Sequence, residues 1–93
     1  MDLHELRAKI DQIDDELIGL FEQRMDLSAD VARYKKQRAI PVHDQVREQE
    51  ILDSLSLKVD KGRESAIVAL YTLLFELSRT EQEIILKADE EVL

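Results

Sequence analysis

The chain has 93 residues, 44% hydrophobic and 37% charged, with only two Gly and one Pro, a balance that suits one small, mostly helical domain. Its net charge of −8 disfavours nucleic acid and anionic membrane as partners, and no apolar run approaches the roughly 18 residues of a membrane span. The lack of cysteine excludes disulfides and thiolate metal sites and makes a reducing cytoplasm the simplest setting.

The opening MDLHELRAKI passes straight into a helical pattern and resembles neither a signal nor a transit peptide. Asp2, with Glu5 three residues on, is a capping-box start. From there Leu3, Leu6, Ile10, Ile13, Leu17, Leu20, Leu27, Val31 and Tyr34 repeat at alternating spacings of three and four. This heptad stripe predicts a long helix with one narrow buried face. Pro41 biases Ile40 away from helical geometry, so the helix should stop near Arg38 after about 54 Å. A second helix is expected from an N-cap at Asp44 to about Lys61, with Val46, Ile51, Leu52, Leu55 and Val59 apolar, Leu57 off the stripe, and Gly62 closing it in a left-handed conformation. A third should run from about Glu64 to about Ala88, with a broad apolar face including Ile67, Leu70, Tyr71, Leu74, Phe75, Leu77, Ile84 and Ile85. The acidic tail from Ala88 to Leu93 is expected to fray. Residues 1–93 read as a single domain.

The first helix is expected to be much longer than the other two, so one copy would leave Leu and Ile exposed at its far end. A two-fold dimer covers them by pairing the long helices. Parallel pairing would set Arg24 against its own copy, so the expected architecture is an all-α, intertwined antiparallel homodimer.

Arg24 stands in that stripe where a leucine belongs. A guanidinium there costs several kcal/mol in desolvation unless a carboxylate side chain or an anionic ligand meets it. Lys35 follows three helical turns later on the same face, roughly 16 Å away, with Ser28 and Val31 between. The two could clasp a small anion. Arg7 lies about 25 Å from Arg24 along the helix; an antiparallel partner could bring it to the other subunit's Arg24. Arg7 and Lys35 read equally well as solvated surface charge. Asp44 and Glu48 face the same way one turn apart, with Arg47 between them, which also describes an ordinary cap with dipole-favoured acids. Ser78 and Gln82 continue the line of Tyr71 and Phe75, either as a buried polar contact between helices or as neutral ligand contacts. His4 and His43 read as surface or capping residues, and Tyr34 and Tyr71 as core edges. No metal motif, nucleophile arrangement or phosphate loop is present.

Together, Leu6-Arg7-Ala8-Lys9-Ile10 with Ile13-Asp14, Arg24-Met25-Asp26-Leu27, Lys35, Pro41-Val42-His43-Asp44 with Arg47-Glu48, and Ser78 with Gln82 resemble the all-helical class of chorismate mutases from about residue 3 to about residue 85. The resemblance implies an intertwined dimer with two equivalent sites and chorismate as substrate. It further implies that Arg24 and the partner chain's Arg7 clamp two carboxylates, and that Lys35 and Gln82 hydrogen-bond the ether oxygen. Glu48, helped by Asp44, would meet the ring hydroxyl, with Arg47 and Ser78 in support. Conversion of chorismate to prephenate is an intramolecular rearrangement, so neither metal nor cofactor is expected. Isochorismate-pyruvate lyase, of the same fold, is the nearest alternative. A non-catalytic helical dimerisation module is the other, although it leaves Arg24, Ser78 and Gln82 unexplained.

Overall fold

The computed structural model describes residues 1–92. It comprises α1 (Leu3–Gln37), α2 (Gln45–Leu55), a single 3₁₀ turn (Lys61–Arg63) and α3 (Glu64–Val92), and no strand occurs among the described residues. The Asp2 side chain accepts a hydrogen bond from the Glu5 amide at 2.8 Å and starts α1 as expected.

The end of α1 is a tight, fully bonded turn. The Ile40 amide donates to the Lys35 carbonyl at 2.9 Å and the Ala39 amide to the Lys36 carbonyl at 3.2 Å. Ala39 has a positive φ of 55°. This is the bonding of a Schellman cap with alanine where glycine is usual, followed by Pro41, which cannot continue a helix. The turn folds the chain back over α1, so that the Val42 carbonyl lies 3.3 Å from Lys35 Nζ.

Two expected boundaries are corrected. The second helix stops at Leu55 rather than near Lys61. Ser54 Oγ donates to the Ile51 carbonyl at 2.7 Å, a local bond that competes with helical pairing, and the Leu57 and Lys58 amides close turns onto Ser54 and Leu55. Gly62 therefore lies in the 3₁₀ turn that leads into α3, without positive φ. In the other direction, α3 runs past Ala88 to Val92. Its acidic end does not fray: Asp89 pairs with Arg33 and Glu90 with Lys36, so α1 cations neutralise it. Leu93, the last residue of the expected tail, lies outside the described residues. With 29 residues against 35 in α1, α3 is nearly as long, which corrects the picture of one dominant helix.

The pairs Arg24–Ser78, Ser28–Gln82 and Arg33–Asp89 ascend together, so α1 and α3 run parallel along the C-terminal half of α1. Met25, Ala29, Ala32, Leu55, Phe75 and Ser78 are the buried residues. Small Ala29 and Ala32 let α3 approach closely. The buried line of α1 is therefore not the heptad stripe. Leu27, Val31 and Tyr34 are exposed, as are Leu3 through Leu20 along the same stripe. Tyr34 is not a core edge: the Arg38 guanidinium lies 3.6 Å from its ring centroid.

The overall extents are 56 × 29 × 14 Å. The smallest is little more than one helix diameter of about 10–12 Å. The helices thus form a single layer. The radius of gyration of 16.9 Å exceeds the roughly 12 Å of a compact chain this long.

Candidate active site

A cavity of about 360 Å³ opens where α1, the turn after it, the start of α2 and the middle of α3 meet. This is within the range of small-molecule sites, about 300–1,000 Å³. It brings together Arg24, Lys35, Asp44, Arg47, Glu48, Ser78 and Gln82. Ser28 and Val31 line it between Arg24 and Lys35, as the helical spacing predicts. Arg7 is not brought to it; that side chain is exposed on the far half of α1.

Arg24, Lys35 and Gln82 are each held by another residue of the cavity wall. Arg24 is half-buried and donates from Nη1 to Ser78 Oγ at 2.8 Å. Its guanidinium carbon lies 5.9 Å from the Tyr71 ring centroid and 5.8 Å from that of Phe75. Both aromatic faces favour the cation. Among the described residues no carboxylate pairs with it. The structure thus answers one half of the question raised by the seam: no side-chain anion meets Arg24.

Lys35 has 18% of its side chain exposed, donates to the Val42 carbonyl, and stands 3.8 Å from Asp44 Oδ2. Asp44 also caps α2 by accepting from the Arg47 amide at 2.9 Å, so a single residue fixes the helix start and leans on the lysine. Gln82 Nε2 donates to the Ser28 carbonyl at 3.0 Å. That bond orients the amide and leaves its second N–H free to donate. Ser78 and Gln82 are thus contacts between α3 and α1. Arg47 is exposed and sits 3.8 Å from Glu50.

Two polar residues of the cavity wall escaped sequence reasoning. Arg79 donates to both Glu48 oxygens at 2.6 Å, and His43 Nε2 lies 3.5 Å from Glu48 Oε2. His43 is therefore a cavity residue and not merely a surface or capping one. No local spacing links position 79 to position 48; the only available signal was a cation beside Ser78 and three residues before Gln82. The cavity wall carries Arg24, Lys35, Arg47 and Arg79 against Asp44 and Glu48, a local positive excess in a chain of net charge −8. Among the described residues, no cluster of three His, Asp or Glu side chains is placed to hold a metal ion.

A second hollow, about 730 Å³ and almost wholly apolar, lies between the diverging N-terminal halves of α1 and α3. It is walled by Leu17, Ile18, Phe21, Leu70, Tyr71 and Leu74, among others, and reaches Arg24 at its end. No helix among the described residues is long and apolar enough to cross a membrane.

Comparison with known proteins identifies the family. A chorismate mutase from Methanocaldococcus jannaschii is 34% identical over 83 residues, covering 87% of this chain and 84% of that protein. A 4-amino-4-deoxychorismate mutase from Streptomyces venezuelae is 32% identical over 83 residues, covering 86% and 81%. The T-protein of Haemophilus influenzae is 38% identical over 64 residues, covering 69% of this chain and 17% of that protein. No solved structure gives a significant match. The sequence profile of the chorismate mutase type II family matches residues 6–83, and the chain, an isomerase by that membership, belongs to the chorismate mutase type II family.

Proposed function

We propose that the polar cavity is where this isomerase converts chorismate to prephenate in aromatic amino acid biosynthesis, and that residues 1–93 act as one domain of a cytoplasmic homodimer. The observation that carries the site assignment is Arg24. It is a half-buried cation with a neutral hydroxyl and two aromatic faces as neighbours, in a pocket whose lining carries more cations than acids. Such a group lacks an anion, and a dianionic substrate supplies one.

In the rearrangement the ether C–O bond breaks as the enolpyruvyl methylene carbon bonds to the ring. The electrons move in one cycle and no proton is gained or lost. The protein has two tasks. One is to hold the enolpyruvyl arm over the ring. The other is to meet the negative charge that grows on the ether oxygen with donors already in place. Arg24 and the partner's Arg7 clamp the carboxylates. Lys35 and the free N–H of Gln82 donate to the ether oxygen. Glu48 accepts from the ring hydroxyl, assisted by Asp44, with Arg47 and Ser78 in support. An acceleration of about 10⁶-fold requires about 8 kcal/mol, within reach of two charge-assisted hydrogen bonds and a restricted rotor.

Two quantities support a homodimer, and a third observation fits its intertwined antiparallel form. The chain is one helix thick, so it has no second layer to cover its apolar faces. It exposes 7552 Å², where a compact monomer of this mass exposes about 5,500 Å². The apolar hollow between α1 and α3 ends at Arg24, so a partner α1 lying in it would bring a basic residue from its far half to the substrate. The cysteine-free composition fits a reducing compartment.

The test is loss of chorismate absorbance with purified protein and no added metal. Saturable loss with prephenate as sole product supports the assignment. No loss from a folded dimer, with turnover of isochorismate instead, would transfer the site to the lyase reaction.

A further inference from the structure

We propose that Arg79 is a specificity-determining positioning residue, which makes the pocket select a substrate with a ring hydroxyl over the analogue with a ring amine. The inference rests on the reading that Glu48 meets the ring substituent. Arg79 Nη1 reaches both Glu48 oxygens at 2.6 Å, and His43 Nε2 lies 3.5 Å from Oε2. Arg79 and Glu48 keep only 32% and 23% of their side chains exposed, so solvent screens the pair poorly.

A carboxylate has about four acceptor positions. Arg79 occupies two, and the remainder can still accept a hydrogen bond from a neutral hydroxyl. What Arg79 removes is the negative potential. A lone, partly desolvated carboxylate would draw in an alkylammonium and hold it strongly. The Arg79–Glu48 pair is neutral as a unit. An ammonium placed against it would also meet Lys35 on the same wall, where the Asp44 carboxylate already stands 3.8 Å from that lysine, an arrangement that leaves no unpaired negative charge for the wrong substrate. Arg79 touches no reacting atom; it acts through Glu48. The same pair also ties α2 to α3, so a purely structural role is the alternative to exclude.

The experiment compares kcat/KM for chorismate and for 4-amino-4-deoxychorismate at pH 7, where an alkyl amine is protonated. The wild-type protein should favour chorismate by about tenfold or more. Arg79→Met and Arg79→Gln should each move that ratio toward the amine by about tenfold or more, while Arg79→Lys keeps the wild-type preference. Adding Glu48→Gln to Arg79→Met should abolish the gain, because the uncovered charge is then gone. A ratio unmoved in both neutral variants, or two activities that fall in parallel, would assign Arg79 to helix packing alone and overturn the proposal. So would a wild-type protein that already prefers the amine, which requires no variant to fold. A wild-type protein inert toward chorismate would instead refute the underlying mutase reading, an outcome visible before any variant is made.

Discussion

The two halves of α1 carry one heptad pattern and meet opposite fates. From Leu3 to Leu20 every stripe residue is exposed. From Arg24 to Gln37 the helix is gripped by α3 and by the returning turn, and its buried residues are Met25, Ala29 and Ala32. The difference lies in what flanks the stripe. In the second half, Ser28, Ala29 and Ala32 are small and allow a parallel helix to come close, and polar Arg24 and Lys35 gain oriented partners. In the first half, bulky Leu17, Ile18, Leu20 and Phe21 face α3 across an apolar hollow and stay uncovered by their own chain. One half lines the polar cavity and the other leaves its stripe uncovered, and a periodic hydrophobic pattern does not distinguish the two.

The sharpest way to break this division is to remove the chemistry from the site half. Lys35→Ala should lower kcat by about 10²–10³ with little change in KM, because its contact strengthens only in the transition state. A rise in KM alone would make Lys35 a substrate clamp. Next comes the link between halves. Arg7→Ala and Arg24→Ala should each be nearly inactive alone, yet their 1:1 mixture should recover about a quarter of wild-type activity, since half the dimers are mixed and each holds one intact site. No recovery after subunit exchange would separate the two arginines and detach the far half from catalysis.

Gln82→Glu is a milder perturbation. The neutral amide donates at any pH, whereas a carboxyl donates only when protonated. Good activity of this variant should be confined to acid, and equal rates at pH 5 and pH 8 would remove Gln82 from the ether oxygen. Ala39→Gly should relieve the left-handed alanine at the cap and raise stability by about 0.5 kcal/mol, the strain removed less the added freedom of the unfolded chain, as read by urea denaturation.

The smallest effect belongs to the exposed clamp at the end of α3. Bonding to Arg33 lowers the Asp89 pKa from 3.8, and bonding to Lys36 lowers that of Glu90 from 4.5. A lowered folded-state value means that the contribution is complete above the unfolded value and is lost as pH falls through the folded one. Asp89→Asn should therefore cost a little thermal stability at pH 7 and none in strong acid. A cost that persists in strong acid would point to packing instead of charge.

Some of the molecule was legible residue by residue. Helix-period apolar spacing marked α1 and the body of α3, Asp2 and Asp44 announced their caps, and Pro41 marked the turn, because each of these is local chemistry acting over a few residues. Arg24, Ser78 and Gln82 stood out because a polar group on an apolar stripe requires a partner wherever the fold places it, whereas Lys35 was marked only by sharing a face with Arg24 and read equally well as surface charge. The misread elements depended on distant neighbours. The end of α2 was lost to competing serine bonding, and Gly62 suggested a left-handed cap for α2 that did not form; the left-handed residue is Ala39, at the end of α1.

The tertiary structure alone decided the rest. Asp89 and Glu90 remain helical because α1 cations lie across from them, 54 or more positions away in the chain. Arg79 meets Glu48 across 31 positions. No periodicity connects such pairs, because their spacing is set by the angle and offset of two helices and not by the pitch of one. The sequence by itself determined which segments are helices, which faces are apolar and which cations stand where they require an anion. Only the packing of α3 along the second half of α1 determined that these cations surround one cavity, and that the first half of the stripe is left uncovered by its own chain.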